Sequence, residues 1–301
     1  MAARAGGNSR EFLKRDARVA SVANLAGEPL RAARLILSLI AALAAPCTAF
    51  ASPARIVSLD YCADQFVLAL ADRAQIAALS RGAARDDSYF RARAEGLPRI
   101  RADVESVMAR RPDLIVRSWG GGAQAEAIYA RLGVSVLKLD DAPNFAAARA
   151  TLLRAAEAMG QAPRGRRLAA DLDARLARLA LQAPTRRPDV LYVTAGGAVA
   201  GRATMMYAVI AAAGGRNARA YEGWRVLPLE GLLTRPPAIV AQGFFDSGQT
   251  RATPWTFARH PALARALAPA RRVALPADEV SCAAWYDIAA AERLAAAISS
   301  P

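Results

Sequence analysis

The segment Gly120-Gly121-Gly122-Ala123-Gln124-Ala125 is the first place in this 301-residue chain where residue types and spacing suggest a reaction. It matches G-x-G-x-x-A between an apolar strand and a helix, and Asp140 follows twenty positions after Gly120. In a dinucleotide site such glycines let backbone N–H groups approach the pyrophosphate, and the later acid binds the ribose. The same glycines also suit a plain tight turn, and an exported protein seldom meets free dinucleotides. Other chemistry is scarce. His260 is the only histidine, so neither a histidine metal cluster nor a Ser-His-Asp triad has the residues it needs. No G-x-S-x-G elbow is present, and Ser58 falls inside a strand. The residues therefore name no catalytic group, no metal site and no resident cofactor. An exported Rossmann-like NAD(P)-binding oxidoreductase stands as the alternative reading.

Aromatic residues carry more information. Tyr61, Trp119, Trp224, Phe244, Phe245, Trp255, Trp285 and Tyr286 fall in or beside the loops that follow strands, and ligands bind at that edge of an open parallel sheet. Arg117 and Arg225 adjoin two of the tryptophans, a combination suited to a flat, partly anionic ligand. The competing reading is that these rings pack a seam between lobes. A second pattern is a phrase stated twice. Val104-Glu105-Ser106-Val107-Met108 runs through Arg111-Pro112 to Leu114-Ile115-Val116, and Leu229-Glu230-Gly231-Leu232-Leu233 runs through Pro236 to Ile239-Val240-Ala241. Each copy is an acid opening a short apolar helix, a proline that ends it, and a strand. One repeat at half the chain length suggests two similar lobes.

The elements that position these residues alternate. Strands are expected at 55–59, 76–79, 114–116 and 134–137, with Asp64 capping a helix through Leu70 and a surface loop from Arg81 to Pro98. Helix then dominates. One segment runs from Asn144 to Met159, and a second from Arg164 to Gln182 spans roughly 28 Å. Alternation resumes with a strand at 190–193, a helix from Thr204 to Ala213, strands at 239–241 and 272–275, and a last helix from about Asp287 to Ile298. The fold class is α/β, two Rossmann-like lobes with mainly parallel sheets joined by one long helix. The expected divisions are 52–160 for the first lobe, 161–186 for the linker and 187–301 for the second.

Residues 1–51 read as a leader and signal peptide. Arg31 and Arg34 precede an apolar core from Leu35 to Ala45, and Ala49-Phe50-Ala51 fits a cleavage site after Ala51. A mainly apolar stretch of eleven residues is too short to span a bilayer, so the mature protein is expected in the periplasm. The net charge of +14 comes from arginine at every basic position except Lys14 and Lys138. Scattered through helices rather than clustered with aromatics, those arginines exclude a nucleic-acid partner. Cys62 and Cys282 remain after cleavage, and an isolated pair in an oxidising compartment reads as a disulfide. Closing so long a loop stabilises by on the order of 5 kcal/mol in the chain-entropy model.

In order, these segments resemble the periplasmic substrate-binding proteins of ABC importers for ferric siderophores, cobalamin and haem, the class with a single helical linker. The resemblance runs from about residue 54 to 298. RIVSLDYCADQFVLALAD, VESVMARRPDLIV, RSWGGGAQAEAIYARLGVSVLKLD, AAAGGRN, LEGLLTRPPAIV and SCAAWYDIAAAERLA carry it. It implies a binding protein rather than an enzyme, a monomer with an ABC permease and ATPase in the inner membrane as partners. The ligand implied is a metal chelate held between the lobes, a ferric siderophore or cobalamin before haem. By position, Tyr61, Arg117, Trp119, Trp224, Trp285 and Tyr286 would line the ligand cleft. Glu105 and Glu230 would dock onto permease arginines. A Cys62–Cys282 disulfide would bridge the lobes at the cleft edge and limit their opening. Relatives often carry Cys-Gly-Gly where this chain has Cys282-Ala283-Ala284, which leaves the loop and the placing of Trp285 open.

Overall fold

The computed structural model describes residues 52–219, 221–227, 236–246, 261, 265 and 267–300. The signal peptide read over 1–51 lies outside these, as do Glu230, Trp255 and His260. In the first lobe, strands β1 (Ile56–Ser58), β2 (Ile76–Ser80), β3 (Arg99–Ile100), β4 (Leu114–Arg117) and β5 (Ser135–Lys138) form a fully parallel sheet. Its order is β3-β2-β1-β4-β5. The central strands are apolar on both faces, as buried parallel strands must be. Ile56, Leu114 and Val116 join one core cluster, while Val57 and Ile115 join the cluster on the opposite face. The crossovers are helices α1 (Tyr61–Leu70), α2 (Val104–Met108) and α3 (Ala125–Arg131).

Two expectations for this lobe need correction. Asp64 is not the cap of α1. Asp60 is, its side chain accepting from the Ala63 N–H, and the helix begins at Tyr61. Asp64 sits inside α1, fully buried. The stretch from Arg81 to Pro98 is also more than a surface loop. Short 3-10 turns at Arg81–Ala84 and Arg91–Ala94 fold it back so that Asp87 and Ser88 are buried.

Helix α4 (Phe145–Ala158), capped by the Asn144 side chain, leads through Gly160 into the long helix α5 (Ala162–Gln182). At Gly165 a Cβ would stand 2.3 Å from the Cβ of Ala156, so the two helices meet where no side chain fits between them. In the second lobe, β6 (Asp189–Thr194), β10 (Ile239–Gly243) and β11 (Arg271–Leu275) are parallel. β8 (Arg216–Asn217) pairs parallel with β6. β7 (Ala198–Ala200) and β9 (Trp224–Val226) extend the sheet antiparallel, in the order β11-β10-β6-β7-β9. These last two strands were not foreseen: three residues each, alanine-rich or exposed, they carry no alternation to read. Helices α6 (Met205–Ala212), α7 (Ala277–Val280) and α8 (Ile288–Ser299) complete the lobe. Helix α8 is fixed to α5 by Arg175, whose Nη2 lies 2.6 Å from Glu292 Oε2.

Candidate functional site

The strand order of the first sheet reverses between β1 and β4, and a crevice opens at the carboxyl ends of strands where such a reversal occurs. The two loops at this point are Asp60-Tyr61 after β1 and Ser118-Trp119-Gly120 after β4. Asp60 locks them together. One carboxylate oxygen caps α1, and the other accepts from the N–H groups of Ser118, Trp119 and Gly120 at 2.8, 3.1 and 2.9 Å. The glycines serve this close approach, since a Cβ on Gly120 would stand 2.4 Å from the Leu59 carbonyl oxygen. The dinucleotide reading gains no support here, and the Gly120 N–H at the head of the turn is already taken by the Asp60 carboxylate. Asp140 is exposed and pairs with Arg154 at 3.4 Å.

Arg117 was expected to face the ligand, and it does not. It is 5% exposed. Its nitrogens donate to the carbonyls of Trp119, Gly120 and Gly122 at 3.3, 2.8 and 3.1 Å, and to Glu126 at 2.6 Å. A guanidinium spent on three loop carbonyls and a carboxylate holds the glycine turn in shape from beneath. What it presents to the cleft is Trp119, 60% exposed. The Trp119 ring meets Tyr61 edge-on, with centroids 6.0 Å apart. Burial and the nearby Asp87 carboxylate raise the Tyr61 phenol above its ordinary pKa, against the opposing pull of Arg85.

The opposite wall belongs to the second lobe. Trp224 opens edge strand β9, is 53% exposed, and rests edge-on against the buried Tyr192 at 5.9 Å. Between the walls is a cavity of about 520 Å³ lined by Tyr61 and Trp119 on one side and Thr204, Met205, Met206 and Trp224 on the other. That size falls within the ~300–1,000 Å³ usual for small-molecule sites. Asp141 and Asp287 are the charged residues on its described wall. Burial raises Asp287 well above the carboxylate range. One of its oxygens accepts from the Ala284 N–H at 3.2 Å, and the other has no hydrogen-bond partner among the described residues. Sequence reasoning missed this acid because its helix-start position looked like an ordinary cap.

Trp285 and Tyr286 were also expected in the cleft, and both are buried at the seam instead, 5% and 2% exposed. Trp285 packs edge-on against Phe66 at 4.8 Å, and Tyr286 stacks on Tyr89 at 4.5 Å. The competing seam reading is the one the structure bears out for this pair. The same seam carries Ser281 Oγ donating to the Asp87 carbonyl at 2.9 Å, and Arg91 2.7 Å from Asp278. Cys62 and Cys282 are paired there, 220 residues apart in sequence, with Cα atoms 5.4 Å apart. Ala283 takes φ 45°, the left-handed turn that favours glycine, so alanine occupies a glycine-type turn in this loop. Glu105 is exposed in the first turn of α2, which Asp103 caps through the Ser106 N–H at 2.8 Å. Of the six residues expected to touch ligand, Tyr61, Trp119 and Trp224 therefore reach the cleft, and Arg117, Trp285 and Tyr286 support it from behind.

Comparison with known proteins agrees with this architecture. Residues 56–278 match the family model described as periplasmic binding protein, and the chain belongs to that family. The resemblance to the substrate-binding proteins of ABC importers read from the sequence holds. Similar solved structures include a periplasmic haem-binding protein from Pseudomonas aeruginosa, 24% identical, covering 83% of this chain and 94% of that one, with a TM-score of 0.64. The periplasmic haem-binding protein RhuT from Roseiflexus sp. RS-1 is 25% identical over 81% of this chain and 95% of its own, with a TM-score of 0.66. The periplasmic vitamin B12-binding protein BtuF of Vibrio cholerae is 18% identical over 81% and 96%, with a TM-score of 0.62. No curated protein sequence matches the chain. Among the described residues no helix is long and apolar enough to cross a membrane.

Proposed function

We propose that this protein is the periplasmic solute-binding component of an ABC importer, one that captures a metal chelate between its lobes and delivers it to an inner-membrane permease and its ATPase. It binds and releases, and performs no reaction. The observation that carries the reading is the cavity whose facing walls are Trp119 with Tyr61 from one lobe and Trp224 from the other. Broad aromatic faces set at the carboxyl ends of strands bury a flat or compact chelate with little loss of side-chain freedom. The similarity to the RhuT haem-binding protein supports a tetrapyrrole among the candidates. A ferric siderophore and cobalamin are the others.

Delivery rests on Glu105, exposed at the start of α2, together with Glu230 at the same place in the second copy of the phrase. Exposed ion pairs contribute at most about 1 kcal/mol each, so the two acids set orientation and association rate rather than strength. Replacing both, Glu105→Ala with Glu230→Ala, is expected to leave ligand affinity intact and stop uptake of haem, cobalamin or ferric siderophore by cells that depend on this protein. Normal uptake by the double variant would contradict the docking role.

A further inference from the structure

At the amino end of β6 the second lobe holds a hollow of about 250 Å³ lined by Arg187, Arg202, Arg216 and Arg219, with Tyr207 and Asn217. It shares no lining residue with the cleft cavity. We propose that this hollow is a second binding site, one that takes a terminal phosphate group, carried either by a free anion or by a lipid headgroup. The site does not depend on what the cleft binds.

The four arginines come from separate stretches of sequence, and the fold gathers them. Arg187 lies in the turn between α5 and β6, Arg202 follows β7, and Arg216 and Arg219 belong to β8 and the turn after it. Arg216 pairs in register with Asp189, the first residue of β6. Gly215 permits that close approach, since a Cβ there would stand 2.7 Å from Val190 Cγ2. Asn217 fixes the turn that carries Arg219. Its amide donates to the Ala200 carbonyl at 2.8 Å, and its Oδ1 accepts from the Arg219 N–H at 2.9 Å. Supports of this kind leave little to be ordered when an anion arrives.

Among the described residues no acid lines the hollow. Asp189 meets Arg216 at 2.6 Å and Glu222 meets Arg202 at 3.6 Å, and neither acid is part of its wall. Arg187 is exposed and makes no hydrogen bond or ion pair among the described residues. Guanidiniums brought into one hollow repel each other, and an anion between them relieves that repulsion. A carboxylate has two oxygens, and one arginine fork satisfies both. Several forks converging with the phenol of Tyr207 suit the larger charge and the additional oxygens of a phosphate.

The test uses the full exported protein at low ionic strength, where exposed charges are least screened. Inorganic phosphate and pyrophosphate are titrated by calorimetry. In a second arm, vesicles containing phosphatidic acid, or phosphatidylglycerol at matched charge, are followed by flotation. Saturable binding of either free anion at one site per chain is the expected result for a soluble ligand. Flotation with phosphatidic acid in preference to phosphatidylglycerol, without binding of the free anions, would assign the same site to a headgroup. In whichever arm responds, Arg187→Glu should weaken binding about tenfold or more, and Arg202→Gln should weaken it in the same direction. Both arginines are exposed, so neither change threatens folding. Arg166→Glu is the control, an exposed arginine of α5 outside the hollow with the same change of charge. Equal weakening by Arg187→Glu and Arg166→Glu would reduce the effect to general attraction by a basic protein and overturn the site. No response in either arm, or binding that neither hollow variant weakens, would overturn it too.

Discussion

Three buried aspartates organise this site. Asp60 is the clamp that sets Tyr61 against Trp119. Asp287 sits under the opposite wall. Asp64 lies in α1, fully buried, and accepts from the hydroxyls of Ser58 and Ser80 and from the Ser80 N–H at 2.9 Å. Burial raises its pKa to about 7, because desolvation outweighs the hydrogen bonds that favour the charged form. Raised above its unfolded value, this carboxyl holds its proton more tightly in the folded state, so its stabilising effect is present at low pH and is lost as pH rises through about 7. Asp64→Asn keeps the shape without the charge. Relative to wild type, the variant should therefore gain stability by a few kcal/mol between pH 4.5 and pH 7.5, measured by urea unfolding at both. A difference that does not change with pH would show that Asp64 is already ionised without cost. Asp287 shifts in the same direction, so the wild-type trend does not rest on Asp64 alone.

At the scale of elements, much of the fold was legible. Apolar runs of three to five residues gave β1, β2, β4, β6 and β10, since central parallel strands are apolar on both faces and need no alternation to be found. Asn144 and the leucine spacing of α5 marked the helices at the middle of the chain. Tyr61, Trp119 and Trp224 could be picked out because a large aromatic in a loop after a strand stands apart from its neighbours. What could not be read was the direction in which a side chain turns. Arg117 lies two residues from Trp119, yet its donors point down into the loop carbonyls. Trp285 and Tyr286 sit in a loop of the expected kind, and Phe66, Tyr89 and Phe90, two hundred positions away in sequence, bury them. Asp64 and Asp60 are both plausible caps in sequence, and only the start of the helix at Tyr61 separates them. The cysteine pairing belongs to this scale as well. We propose that Cys62 and Cys282 are oxidised in the exported protein, joining the start of α1 to the loop before Trp285. The intact mass without reductant should be two hydrogens below the reduced mass, with no free thiol to alkylate. Two alkylatable thiols in protein taken directly from the periplasm would contradict the bond.

At the scale of the whole molecule, the pieces divide by task. The sheets set the loops, the loops set three aromatic side chains, and α5 with the buried seam fixes the relation between the two walls. The seam is dense: an aromatic cluster, the paired cysteines, the Ser281–Asp87 hydrogen bond and the Arg91–Asp278 ion pair all cross it. A molecule tied in this way captures ligand in a cleft largely formed beforehand, and such preorganisation favours affinity by lowering what must be ordered on binding. The central claim is that one ligand is held by both lobes at once. Titrating ferric siderophore, cobalamin and haem against wild type, Trp119→Ala and Trp224→Ala, followed by quenching of the remaining tryptophan fluorescence, tests it most directly. Saturable binding of one of the three by wild type, weakened about tenfold or more by each substitution alone, is the predicted result. No binding of any of the three, or binding that one tryptophan supports and the other leaves unaffected, would contradict it.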